Sequence, residues 1–194
     1  MLGGEIVSGK KKPKKFTNKA KKFKDGSHTD SVLTLSLNPS HKNILVSGSA
    51  DNMVKIWDLS QGTNIHSCNH HTSRVNKVKW SPTDPTVIFS ASEDKTITVL
   101  DSRYPNDKLS HKLGNKEASV ESACWNVNQP TQICYTTDKG NLNIIDVRAI
   151  DKVVTSFAAH QGHAITDVKI GSKNLVYTCS EDESVRVWNL NNLA

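Results

Sequence analysis

One pattern recurs four times along this chain at a period of about 44 residues. Each copy closes a short apolar run with an aspartate-containing turn: Ser49-Ala50-Asp51-Asn52, Ser92-Glu93-Asp94-Lys95, Thr137-Asp138-Lys139-Gly140 and Ser180-Glu181-Asp182-Glu183. A second apolar run follows and ends in a pair: Trp57-Asp58, Leu100-Asp101, Ile145-Asp146 or Trp188-Asn189. Successive aspartates are 43, 44 and 44 residues apart, and successive closing pairs 43, 45 and 43. The runs are short, alternating and bounded by turn residues, which predicts strands. In the first copy they cover Ser31–Leu37, Asn43–Ser49, Met53–Trp57 and Gly62–Ser67. A unit this small cannot bury both faces of its central strands alone, so copies must stack on one another.

Short strands at this period are the signature of WD-repeat propeller blades. The expected fold is therefore all-β. It is a WD40 β-propeller of about four four-stranded blades, over residues 26–68, 69–112, 113–157 and 158–194. Four such units predict an incomplete ring with open strand edges and two exposed blade faces. The last unit stops after its third strand unless Glu5–Ser8 supplies a fourth. The ring is then one of a fragment, a reduced protein, or a half completed by another chain.

The turn aspartate has a predicted role. Aspartate accepts local backbone N–H groups and tolerates unusual turn geometry. In WD repeats it is commonly tied to a preceding-loop histidine, a strand hydroxyl and the closing tryptophan. The first unit offers His28, Asp51, Trp57 and either Ser47 or Ser49. The second offers His71 and Asp94 at the same 23-residue separation, with Leu100 in place of tryptophan. The fourth offers His160, Asp182 and Trp188, whereas the third lacks both histidine and tryptophan and should rely on packing. Trp80 and Trp125 share a different repeat position and are expected to fill gaps between blades. A catalytic triad would be one set beside an oxyanion hole. A set recurring by repeat is a brace, so no catalytic residue is assigned.

The net charge of +6 is unevenly divided. Residues 1–25 hold nine lysines against Glu5 and Asp25, a net +7, and the other 169 residues come to −1. The tail lacks apolar periodicity and is expected to be disordered when free. Lys10, Lys11, Lys12, Lys14 and Lys15, with Pro13 keeping them extended, read as a nuclear-import signal. The same charges suit non-specific phosphate contact with RNA or DNA. Phe16 and Phe23 add two rings that can stack on bases. The near-neutral repeats give no such reason to bind nucleic acid.

No run of 18 apolar residues predicts a membrane span, and no apolar segment near the N-terminus reads as a secretory signal. Cys68, Cys124, Cys134 and Cys179 form no C-x-x-C pair and read as small buried hydrophobes. His70-His71 and His160–His163 lack matching carboxylates or thiolates, so no metal or cofactor site is assigned. Two units end in Asp-x-Arg, placing Arg103 and Arg148 as candidate partner contacts beside Arg74, Lys95 and Lys139 in loops of one face. The bland reading of Arg103 and Arg148 is local pairing with carboxylates or carbonyls.

The ordered series of intact and degenerate units after a lysine tract resembles the periodic tryptophan protein 1 family over about residues 10–192. The resemblance rests on His28-Thr29-Asp30-Ser31-Val32-Leu33, Ser49–Asp58, the units closing in Leu100–Arg103 and Ile145–Arg148, and Ser180–Trp188. It implies a non-enzymatic scaffold of the nucleus and nucleolus that serves large-subunit assembly and rRNA processing through ribosome assembly factors and pre-ribosomal particles. The chain departs from that family in having fewer repeats and no acidic N-terminal region. The rival expectation is a chromatin-associated protein or a substrate receptor of a cullin ubiquitin ligase, docked through the Asp-x-Arg endings.

Overall fold

The computed structural model describes residues 24–106, 108–112 and 119–192. Among them the chain forms fifteen strands in four antiparallel sheets and no α-helix. The first sheet is β1 (Val32–Leu37), β2 (Ile44–Ser49), β3 (Val54–Asp58) and β4 (Thr63–Cys68). The second is β5 (Val75–Trp80), β6 (Val87–Ser92), β7 (Thr96–Asp101) and β8 (Lys108–Lys112). The third is β9 (Val120–Trp125), β10 (Gln132–Thr137), β11 (Asn141–Asp146) and β12 (Val153–Ala158). The fourth is β13 (Ile165–Ile170), β14 (Leu175–Ser180) and β15 (Val185–Asn189), three strands among the described residues. Each sheet is a meander with its strands in chain order.

The sheets stack in sequence. The first strands β1, β5, β9 and β13 lie side by side on the inner edge of the arc. The second and third strands of the first three sheets are buried almost throughout, because a neighbouring sheet covers each face. Every first strand carries a register shift near its start, between Val32 and Thr34, between Val75 and Lys77, opposite Thr136/Thr137, and between Ile165 and Asp167. The extra residue lets side chains three apart share one face. Thus Val75, Val78 and Trp80 all enter the core between the first two sheets.

Tryptophan spans the gaps as its repeat position predicts. The Trp80 indole donates to the Ser36 carbonyl at 3.1 Å, and the Trp125 indole to the Lys79 carbonyl at 3.4 Å. Further in, Lys77 Nζ lies 3.0 Å from Asp167, which also accepts from Ser122 Oγ at 2.8 Å. Side chains of the second, third and fourth sheets therefore meet along the inner edge. Cys68, Cys124 and Cys134 are buried and Cys179 is half-buried, all as free thiols. Burial pushes the Cys68 thiol up to about 11, so it stays protonated at neutral pH.

One alignment made from the sequence needs correction. The backbone amides of Ala50, Glu93, Asp138 and Glu181 make the same bond, each to the carbonyl of the residue that precedes or nearly precedes its sheet's first strand: Ser31, Arg74, Ser119 and Ala164. The structural partner of Asp51, Asp94 and Asp182 in the third turn is therefore Lys139, and Asp138 sits one residue early. Strand pairing says the same, since Leu45 faces Trp57, Ile88 faces Leu100, Ile133 faces Ile145 and Val176 faces Trp188. The discrepancy was present in the spacings: the closing pairs of the second and third units are 45 apart, their aspartates only 44.

Candidate functional site

The loop before each first strand and the turn between second and third strands lie at one end of the sheets, by the up-and-down strand order. There the histidines and aspartates meet. In the first sheet His28 Nδ1 is 2.8 Å from Asp51 Oδ2, and His28 Nε2 is 2.7 Å from Ser47 Oγ. Ser47 Oγ accepts the Trp57 indole N–H at 2.8 Å. With a neutral imidazole, one proton arrangement satisfies these three bonds: indole to Ser47, hydroxyl to Nε2 in preference to the Lys55 carbonyl at 3.5 Å, and Nδ1–H to the carboxylate. Ser47, not Ser49, is the relay. Ser49 instead donates to the Asp30 carbonyl and accepts the Asp51 amide.

The second sheet repeats this without the indole. His71 joins Asp94 at 3.0 Å and Ser90 at 2.8 Å, while Leu100 fills the tryptophan position. Thr96 adds a bond to Asp94 at 2.6 Å. The fourth sheet has the full set, with His160 at 2.8 Å from both Asp182 and Thr178, and Trp188 donating to Thr178 at 3.1 Å. Arg186 closes on Asp182 at 3.0 Å and on the Ala159 carbonyl at 2.6 Å.

In the third sheet Tyr135 occupies the position of Ser47, Ser90 and Thr178, as the strand registers require. It is fully buried among Phe89, Ala123, Trp125 and Ile145. An aromatic core replaces the polar brace. The sequence reading anticipated reliance on packing there but did not identify Tyr135. The one-residue offset between aspartate and closing-pair spacings was the available signal.

The electrostatics are those of a brace. Burial outweighs the neighbouring Asp51 and lowers the His28 pKa, so the imidazole is neutral near pH 7. Burial opposes ionisation of Asp51 and Asp94 too, but hydrogen bonds from backbone amides and the histidine prevail and hold both carboxyls below their usual range. Asp182 is held low by bonds from Ser184 and His160. Both nitrogens of His28, His71 and His160 are engaged, leaving no lone pair for a metal. Among the described residues no group of three or more His, Cys, Asp or Glu side chains is arranged to hold a metal ion.

The candidate partner contacts divide between the two ends of the sheets. Arg74 immediately precedes β5 and sits with Lys95 and Lys139 at the histidine end, its guanidinium 3.6 Å from Glu93. Arg103 and Arg148 follow the third strands and project at the opposite end. Each folds back on the aspartate two residues earlier, at 2.6 Å for Asp101 and 2.7 Å for Asp146. The paired guanidinium holds the Asp146 carboxyl down to about 2. The arginine side chains are 63% and 74% exposed, with Nε and Nη2 turned to the aspartate in each. Lys10, Lys11, Lys12, Lys14 and Lys15 lie outside the described residues.

Comparison with known proteins agrees on the architecture. The chain is similar to the methylosome protein WDR77 of Xenopus laevis, 30% identical over 86% of this chain and 50% of that protein. It is also similar to the periodic tryptophan protein 1 homolog of Drosophila melanogaster, 27% identical over 84% of this chain and 36% of the relative. The chain thus spans half or less of these relatives' length. The crystal structure of the computationally designed Ika4 protein superposes with a TM-score of 0.69 at 21% identity, covering 84% of this chain and 93% of that one. The family model described as the Nucleolar protein 10-like N-terminal domain, a β-propeller, matches residues 17–193. With nearly its whole length so matched, the chain belongs to the Nucleolar protein 10-like N-terminal domain family of WD-repeat propellers.

Proposed function

We propose that this chain is a non-enzymatic scaffold of ribosome biogenesis in the nucleus and nucleolus, acting in large-subunit assembly and rRNA processing. The observation that carries the reading is its membership of a family described as nucleolar. The similarity to a periodic tryptophan protein 1 homolog and the lysine tract before the repeats support it. Lys10, Lys11, Lys12, Lys14 and Lys15 drive import and hold phosphate backbone without base specificity. The loops at the two ends of the sheets dock assembly proteins, with Arg74 at one end and Arg103 and Arg148 at the other.

The histidines serve stability, not chemistry. Their buried, fully engaged nitrogens offer no group to a substrate. Affinity purification of the tagged chain across a salt series is expected to recover large-subunit pre-rRNA with assembly factors. Recovery of histones or a ubiquitin-ligase adaptor without pre-rRNA would overturn the reading. Deleting residues 10–24 is expected to leave the protein cytoplasmic, and a nuclear deletion variant would refute the import role.

The exposed Asp-x-Arg arginines favour one rival, a cullin-ligase receptor or chromatin protein. Under that rival, Arg103→Ala with Arg148→Ala abolishes partner recovery while the fold is unchanged. Under the proposal it leaves pre-rRNA recovery intact.

A further inference from the structure

The first strands carry a row of equivalent positions along the inner edge. Ser36, Lys79, Cys124 and Lys169 face Val46, Phe89, Cys134 and Tyr177 on the second strands, at one register position in every sheet. The position serves the next sheet. The Trp80 amide donates to Ser36 Oγ at 3.2 Å, and the Ile170 amide donates to the Cys124 sulfur. A thiol therefore stands in the third sheet where the first has a hydroxyl. Lys79 and Lys169 hold the same position on either side of it, near enough for their charges to act on the sulfur.

Behind Cys124 lies a second thiol. Cys134 is directly opposite on β10, hydrogen-bonded to Cys124 and fully buried, whereas Cys124 keeps 8% exposure. The Cys134 hydrogen bond, the Ile170 amide and the Lys169 ammonium outweigh burial and the Asp167 charge, and hold the Cys124 thiol below its ordinary value. The same hydrogen bond, with burial, pushes the Cys134 thiol well up. One sulfur is thus placed as the thiolate and the other as its proton-bearing donor. Cys68 makes the contrast, since burial alone acts on it and drives its thiol up to about 11.

We propose that Cys124 and Cys134 form a peroxide-sensitive dithiol, with Cys124 the attacking sulfur and Cys134 the resolving one. The Cys124 thiolate attacks an oxygen of a hydroperoxide. The O–O bond breaks, and the departing oxygen takes a proton from solvent and leaves as water or an alcohol. The sulfur is oxidised to a sulfenic acid as the peroxide is reduced. The Cys134 sulfur then attacks Cys124, the S–O bond breaks, and the hydroxyl leaves as water with the Cys134 proton. Strand geometry lets this bridge form and makes it labile. The Asn126 amide donates to the Gln132 carbonyl at 2.9 Å straight across the ladder, so Cys124 and Cys134, two residues along, are also a hydrogen-bonded pair. Such pairs have Cα atoms about 5.5 Å apart, within the range of disulfides. Their Cβ atoms, about 4.5–5.5 Å apart across a strand pair, must draw in to about 3.8 Å, and a bridge closed under that strain is easily reduced.

The test exposes the folded 194-residue chain, freed of reductant, to hydrogen peroxide. Remaining thiols are alkylated after denaturation, and the digested peptides are read by mass spectrometry. A peptide pair linking Cys124 to Cys134 is expected, formed before Cys68 is lost and undone by dithiothreitol. Cys134→Ala is expected to leave Cys124 as a sulfenic acid, captured by dimedone, with no linked pair. Lys79 and Lys169 are not buried, so Lys79→Met with Lys169→Met is expected to keep the circular dichroism. That variant should slow the loss of Cys124 and leave the rate at Cys68 unchanged. Loss of Cys68 at or before Cys124, a bridge from Cys124 to any other cysteine, or an unchanged Cys124 rate in the lysine variant would overturn the proposal.

Discussion

The relay hydroxyls allow a paired test of what the polar braces are worth. Ser47 serves two buried partners, accepting from the Trp57 indole and bonding His28 Nε2. Ser90 serves one side chain among its described bonds, His71 Nε2, because Leu100 replaces the tryptophan. Trp57 is 5% exposed and His28 7%, so neither group recovers its bond from water when the hydroxyl is removed. A buried donor or acceptor left unpaired costs about 1–3 kcal/mol. Ser47→Ala should therefore destabilise by about 2–4 kcal/mol and Ser90→Ala by about 1–2 kcal/mol. Trp57→Phe removes the indole donor without removing the ring. A double-mutant cycle of Ser47→Ala with Trp57→Phe should show a coupling of about 1 kcal/mol or more, as for residues in one network. Urea denaturation followed by circular dichroism reads all five proteins, wild type included. Equal losses for Ser47→Ala and Ser90→Ala, with no coupling to Trp57, would refute the directional chain from indole to carboxylate.

Two glycines with left-handed backbone should respond differently to alanine. Gly140 has φ +77°, and an added Cβ would meet the His160 carbonyl oxygen at 1.6 Å, whereas Gly62, at φ +63°, meets nothing within 4 Å. Gly62→Ala should cost about 1–2 kcal/mol from backbone strain alone, and Gly140→Ala distinctly more, read as urea midpoints; matching midpoints would show that the third turn moves freely. Stability should also fall with acid in two stages. His28 and His70 are held below the ordinary histidine value, His70 down to about 4, chiefly by burial. The unfolded chain thus binds protons first, and stability declines as pH drops from about 6.5 towards 4. Asp51, Asp94 and Asp182 are also lowered, so a further loss follows as pH falls through the ordinary carboxyl range. A urea midpoint that stays level from pH 6.5 to 4.5 would contradict the histidine stage.

Much of the architecture was legible in the residues. The turn signals and alternating runs located all four strands of the first sheet to within one residue at each end. That is expected where strand, turn and repeat period all act over a few residues. The His28–Asp51 and His71–Asp94 pairs were legible because both fall at one repeat spacing. The outer strand β12 was less so, since Val153–Ala158 has no buried residue to mark a face.

What the sequence alone determined about this protein is therefore its period, its all-β class and the residues of its complete braces, because each is encoded within one repeat. Tertiary structure decided what depends on contact between repeats. It moved Asp138 out of the aspartate position and put Lys139 there. It placed Tyr135 where a serine or threonine stands in the other sheets, an exchange accommodated by Phe89 and Trp125 packing in the adjoining core. It also set apart apolar positions that read, in sequence, like all the others. Val187 and Ile56 hold the same register position, yet one is 57% exposed and the other 2%. Periodicity specifies a side chain's place within its sheet, but burial depends on the sheet stacked beside it.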